Sequence, residues 1–220
     1  MKRMLFNATQ SDELRVATIN EDKLEDLDFE RGNKEQRKSN IYKAVVTRVE
    51  PSLEAAFVNY GVDRHGFLPF KEIADDIFTP GKLRSARDCI EPGKEIVIQV
   101  DKEERGTKGA ALTTFLSLAG KYLVLLPRNP NTGGVSRRLE GNDRMTAKKL
   151  LSEINVPDGM SVILRTSGLD TTKETLEWDM NYLIQIFEQI LESSVLKTWE
   201  AVALWTSTLL LKASIKLLSC

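Results

Sequence analysis

"NIYKAVVTRVEPSLEAAFVNYGVDRHGFLPFKEI", residues 40–73, combines strand-type alternation, a Pro-Ser break, two phenylalanines and a basic-glycine cluster, and its reading decides the fold. Along "IYKAVVTRVE" (41–50) apolar residues recur with the period of two that a strand requires. One face would carry Tyr42, Ala44, Val46 and the aliphatic stem of Arg48, the other Ile41, Val45 and Val49. Both faces are partly apolar, as in a small barrel. Pro51 and Ser52 break the strand; "EAAFVNYG" (54–61), "RHGFLPF" (64–70), "EIVIQVDKE" (95–103) and "GAALTTFLSLAG" (109–120) supply four more. Five short strands with an irregular insert around "DDIFTPGKLRSARD" (75–88) match the element count of an OB-fold barrel.

Upstream, "KRMLFNA" (2–8), "ELRVATIN" (13–20) and "KLEDLDFE" (23–30) read as a small antiparallel meander, joined to the barrel by the charged connector "RGNKEQRKSN" (31–40). Downstream, "KYLVLLPRNP" (121–130) and "MSVILRTSG" (160–168) read as strands, and "NTGGVSRRLEG" (131–141) as a basic loop bracketed by glycines. "RMTAKKLLSEI" (144–154) reads as an amphipathic helix with Leu150, Leu151 and Ile154 inward. In 172–194, Leu176, Met180, Leu183, Ile184, Phe187, Ile190 and Leu191 recur at helical spacing, giving a second helix. The fold class is therefore α+β.

At 220 residues with 41% hydrophobic and 29% charged residues, the chain can bury a sizeable core. A formal net charge of −1 carries no global basic signature, so nucleic-acid affinity would have to come from a local patch. Two distant cysteines, Cys89 and Cys220, make neither a zinc cluster nor a disulfide framework, which points to a reducing cytoplasm. No stretch reaches the roughly 20 apolar residues of a transmembrane helix, and "MKRMLFNATQ" lacks the apolar run of a signal peptide. The final segment "AVALWTSTLLLKASIKLLSC" (201–220) has no acidic residue, an abrupt change that suits either an interfacial helix or a shifted reading frame.

If Phe57 and Phe67 stand outward on neighbouring strands, their rings form a platform on which unpaired bases stack at about 1–3 kcal/mol each. The bland reading of the same residues is core aromatics. Arg64 and His65 would edge the platform, and Lys71, Lys102, Arg105 and Lys108 could meet phosphates, the last two from the glycine-flanked "ERGTKGAA" (104–111). His65 has no partner at a ligand spacing and reads as a turn or surface residue.

The blocks "MKRMLFNAT", "LRVATI", the quoted 40–73 stretch, "VIQVDKEERGTKGAALTTFLSLAGKYLVLLP", "GGVSRRLEG" and "ILRTSG", in this order, resemble the N-terminal part of the RNase E/G family of bacterial endoribonucleases. The resemblance runs from Met1 to about Phe187. It implies a partial RNase-H-like subdomain over 1–35, an inserted S1-type OB-fold over 36–115, a 5′-sensor subdomain over 116–190, and an unmatched, frameshift-like tail over 191–220. It places Phe57, Phe67, Lys102 and Lys108 on single-stranded RNA. Gly120, Val124, Arg137, Arg165 and Thr166 fall around a 5′-monophosphate, for which a guanidinium, a hydroxyl and backbone N–H groups form a suitable cradle. A triphosphate would be too bulky and too charged for such a pocket.

The family cuts RNA with two aspartates that hold magnesium. No aspartate lies beyond Asp179, so no catalytic and no metal residue is assigned, and the family's zinc link and large dimer surface have no counterpart, which leaves the oligomer open. The expectation is a chain that binds RNA without cutting it, needs no cofactor of its own, takes no DNA and works in the cytoplasm. Magnesium and zinc belong to the full-length family enzyme, whose members also associate peripherally with the inner membrane. The alternatives are an endoribonuclease whose catalytic half lies outside this sequence, and an OB-fold RNA-binding module without end sensing.

Overall fold

A computed structural model describes residues 2–10, 13–31, 37–77 and 90–195; the 78–89 part of the insert, with Cys89, and the tail from 196 onward lie outside the described residues. The chain divides after Arg37 into two units, each described by itself.

In the first unit, β1 (Lys2–Gln10), β2 (Glu13–Asn20) and β3 (Lys23–Arg31) form the expected antiparallel meander in the order β1-β2-β3. The β2–β3 hairpin turns through Glu21 and Asp22, both at positive φ (48° and 65°), the pairing that matches the twist of a two-residue hairpin. Leu5, Ala17 and Leu27 lie abreast across the three strands, and Leu5, Leu24, Leu27 and Phe29 are each at least half exposed.

The second unit opens with a closed barrel of β4 (Ile41–Glu50), β5 (Ala55–Asn59), β6 (Gly66–Pro69), β7 (Glu95–Lys102) and β8 (Ala111–Thr113), ordered β4-β5-β6-β8-β7. Alternation does the sorting: Ala44, Val46, Ala56, Val58, Leu68, Ile98, Val100 and Leu112 fill the interior, while their strand neighbours face away. Two buried polar side chains fasten the ends. The Gln99 amide donates to the Ser39 and Ser117 carbonyls (2.9 and 3.1 Å) and accepts from Ser117 N–H (2.8 Å). Thr114 Oγ1 donates to the Glu72 carbonyl at 2.8 Å and accepts from Ala74 N–H at 2.7 Å.

Strict alternation along β4 would put Arg48 on the same side as Ala44 and Val46. The structure turns it outward instead. The register steps from Val46↔Val58 to Arg48↔Phe57, so Thr47 is an extra residue, a β-bulge that reverses the facing of the strand beyond it.

The segment read as the fifth barrel strand divides between two sheets. Ala111–Thr113 completes the barrel, whereas β9 (Leu118–Ala119) joins β10 (Leu123–Leu126), β11 (Gly134–Val135) and β12 (Ser161–Leu164) in a four-stranded sheet ordered β11-β12-β10-β9. Helices α1 (Gly141–Ser152) and α2 (Lys173–Val195) cover this sheet. Leu123, Leu125, Leu164, Leu176, Met180, Leu183, Phe187 and Ile190 form its core, into which Ile41 and Val97 project from the barrel wall. Helix α1 ends at Ser152, so Ile154 reaches the core from just beyond it.

Candidate nucleic-acid interface

Pairing across the barrel sets Arg48 (β4), Phe57 (β5), Phe67 (β6), Ala111 (β8) and Lys102 (β7) in one row that crosses all five strands. The inward neighbours Ala56, Val58 and Leu68 are fully buried, so Phe57 and Phe67 stand on the outer surface and keep part of their area in solvent. Their centroids are 6.0 Å apart with the planes at 71°, an edge-to-face pair. The Arg48 guanidinium sits 4.8 Å from the Phe57 centroid, a cation–π contact. The row thus has a cation at each end, two rings beside one of them, and a small residue between the rings and Lys102.

His65 borders this row. Thr47 Oγ1 donates to the Phe57 carbonyl at 3.0 Å and lies 3.2 Å from His65 Nδ1, which ties the imidazole to the bulge. The basic loop is anchored nearby: Arg64 Nη1 donates to the Gly106 carbonyl at 2.7 Å, and Arg105 and Lys108 exchange two backbone hydrogen bonds of 3.1 Å. Gly109 is required, because a Cβ there would lie 2.3 Å from the His65 carbonyl oxygen. Lys71, Lys102, Arg105 and Lys108 are all exposed.

A second cluster gathers at one end of the four-stranded sheet. Leu164 pairs with Leu123 on one side and Val135 on the other, so the chain leaves β12 into Arg165 and Thr166 between the Tyr122 turn and the segment that leads from Val135 to Arg137. Arg165 N–H donates to the Tyr122 carbonyl and Ser136 N–H to the Leu164 carbonyl, both at 2.8 Å. The Arg165 guanidinium donates to the Gly120 carbonyl. Val124 pairs with Ile163 one position further in, and Arg137, Arg165 and Thr166 are exposed. All five residues that the resemblance assigns to a phosphate end are therefore neighbours.

Asp179 of α2 is 1% exposed, and its carboxylate accepts three consecutive backbone N–H groups, those of Lys121, Tyr122 and Leu123, at 3.2, 2.9 and 2.9 Å. Gly120 has to be a glycine beside it, since a Cβ would fall 2.6 Å from Asp179 Oδ2. Sequence reading missed Arg48, which a bulge re-aims, and Asp179. The second left a trace: an acid between Leu176 and Leu183, on the buried stripe of an amphipathic helix, calls for a buried partner.

A closed five-stranded barrel with an aromatic and cationic outer row defines an RNA-binding module, and residues 35–115 match the S1 RNA binding domain. Residues 117–217 match the Ribonuclease E/G family, a range that takes in most of the segment set apart above as an unmatched tail. The chain is 55% identical over 199 residues to ribonuclease E of Haemophilus influenzae and 54% identical over 194 residues to that of Escherichia coli, covering 88% and 86% of its own length. It is 34% identical over 197 residues to Escherichia coli ribonuclease G, of which it covers 40%. The chain belongs to the Ribonuclease E/G family. It spans about a fifth of the two ribonuclease E relatives, 21% and 18% of their lengths.

Proposed function

We propose that this chain binds single-stranded RNA across the barrel row and recognises a 5′-monophosphate at the sheet end that carries Arg165, as the N-terminal portion of an endoribonuclease of RNA processing and decay. The observation that carries the reading is the outward placement of Phe57 and Phe67 in one row with Arg48 and Lys102 on an S1-type barrel. Rings of this kind take unpaired bases with little regard to identity, while Lys102 and Lys108 meet phosphates. At the second cluster, the guanidinium donors of Arg165, the Thr166 hydroxyl and the Arg137 side chain suit a terminal phosphate with its two charges and three acceptor oxygens. Gly120 and Val124 flank the first nucleotide.

This reading gives the chain binding and end recognition, and leaves phosphodiester cleavage, magnesium and zinc to the whole family enzyme. It places the chain in the cytoplasm; among the described residues no helix is long and apolar enough to cross a membrane. Anisotropy with a labelled single-stranded RNA, bearing either a 5′-monophosphate or a 5′-hydroxyl, tests it. Binding of both with preference for the monophosphate is the expected result; equal affinity removes end recognition, and chelator-sensitive cleavage with magnesium removes the restriction to binding.

A further inference from the structure

We propose that Asp179 is a positioning residue for 5′-phosphate recognition: from helix α2 it shapes the Gly120–Leu123 turn and, through that turn, orients Arg165. The inference rests on the end-recognition reading above and deepens it.

The turn and Arg165 are joined twice. Arg165 N–H donates to the Tyr122 carbonyl, and its guanidinium donates to the Gly120 carbonyl. Both acceptors belong to a four-residue turn whose last three N–H groups all point at the Asp179 carboxylate. Three consecutive N–H groups aimed at one point form an anion nest, and here a side chain of the protein fills it. Ser167 adds a further tie, its hydroxyl donating to the Lys121 carbonyl at 2.6 Å.

Two consequences follow for the chemistry of the site. A guanidinium reads phosphate through a rigid planar fork, so a small rotation of its carbonyl anchor misdirects the donors that remain for the ligand. And because Asp179 occupies the turn amides, the phosphate must be read by Arg165, Thr166 and Arg137 instead of by the 121–123 backbone. The cradle that sequence suggested, side chains plus backbone N–H groups, thus loses its nearest backbone donors to an internal carboxylate.

The test compares dissociation constants for 5′-monophosphate and 5′-hydroxyl RNA in the full chain, the Arg165→Ala variant and the near-isosteric Asp179→Asn variant. An asparagine oxygen cannot replace both carboxylate oxygens, so the preference ratio of Asp179→Asn is expected to fall about fivefold or more. Affinity for the 5′-hydroxyl RNA, which is held on the barrel, should stay within about twofold. The 1H–15N resonances of Lys121, Tyr122 and Leu123 should shift together. Retention of the full ratio by Asp179→Asn, with Arg165→Ala losing it, would overturn this inference alone; a ratio of one in the unsubstituted chain would overturn the end-recognition reading and this inference with it. Should Asp179→Asn not fold, 15N spectra of the unsubstituted chain carry the test. A shift of the Arg165 Nε–H resonance on adding 5′-monophosphate RNA, with the Lys121, Tyr122 and Leu123 amides left in place, supports the proposal; large downfield shifts of those amides, which would mean that phosphate takes them in place of Asp179, overturn it.

Discussion

Arg48 and Phe57 lie directly opposite on β4 and β5, and the guanidinium rests 4.8 Å from the ring centroid. The cation therefore covers part of the ring, and on the RNA-binding reading proposed above it would also meet the phosphate of a nucleotide stacked there. Replacing Arg48 with Gln should weaken single-stranded RNA binding and lower the salt dependence of log K by about 0.7, the share of one phosphate contact on a single strand. Titrations at several salt concentrations would show it. An unchanged slope would mean that the guanidinium serves the ring and not the RNA.

Phe57→Ala and Phe67→Ala should each cost about 1–3 kcal/mol of RNA affinity, nearly independent of base identity and of the 5′ group. Both rings lie outside the barrel core, so thermal stability should change by much less than the 2–5 kcal/mol typical of removing a large core side chain. Leu68→Ala, at a fully buried position of the strand that carries Phe67, is the contrasting control and should destabilise strongly. Anisotropy and thermal melts on the three variants separate the two classes.

Gly109→Ala forces a Cβ against the His65 backbone oxygen, which no side-chain rotation can relieve. The 104–109 loop must then move away from the Arg64–His65 turn, at a cost of roughly 1–3 kcal/mol. RNA affinity should fall through displaced Lys108, with the 5′-monophosphate preference intact. A melt and a two-substrate binding assay measure both parts.

Glu174, in the first turn of α2, has its carboxyl held below the ordinary value, first by a backbone hydrogen bond and then by the Thr172 hydroxyl. The folded pKa is thus lower than the unfolded one. The stabilisation is present above the unfolded pKa and is lost as pH falls through the folded pKa. A side-chain carboxyl NMR titration should give a Glu174 midpoint below that of an unstructured glutamate, moving upward in Thr172→Ala.

Much of the fold was legible because its signals are local. Alternation marked the five barrel strands and the meander, and the stripe Leu176, Met180, Leu183, Phe187 marked α2. What escaped depends on pairing between distant residues. The division of 109–120 between two sheets is decided by whether β6 and β7 or β10 is the nearer partner, which no window of sequence contains. Two-residue strands such as β9 and β11 are too short for any period. At the candidate site, the phenylalanines could be seen but not which way they face. Their outward aspect follows from Ala56, Val58 and Leu68 taking the interior.

The supernumerary Thr47 makes the cationic end of the barrel row a matter of counting residues. Pairing β4 regularly through Thr47 would swing the guanidinium toward the space that Ala44, Val46 and Leu68 now fill, whereas deleting Thr47 would set Arg48 next to the inward Val46 and so still outward. The exterior charge is thus compatible with a bulged strand or with one a residue shorter, and not with a regular strand of the present length.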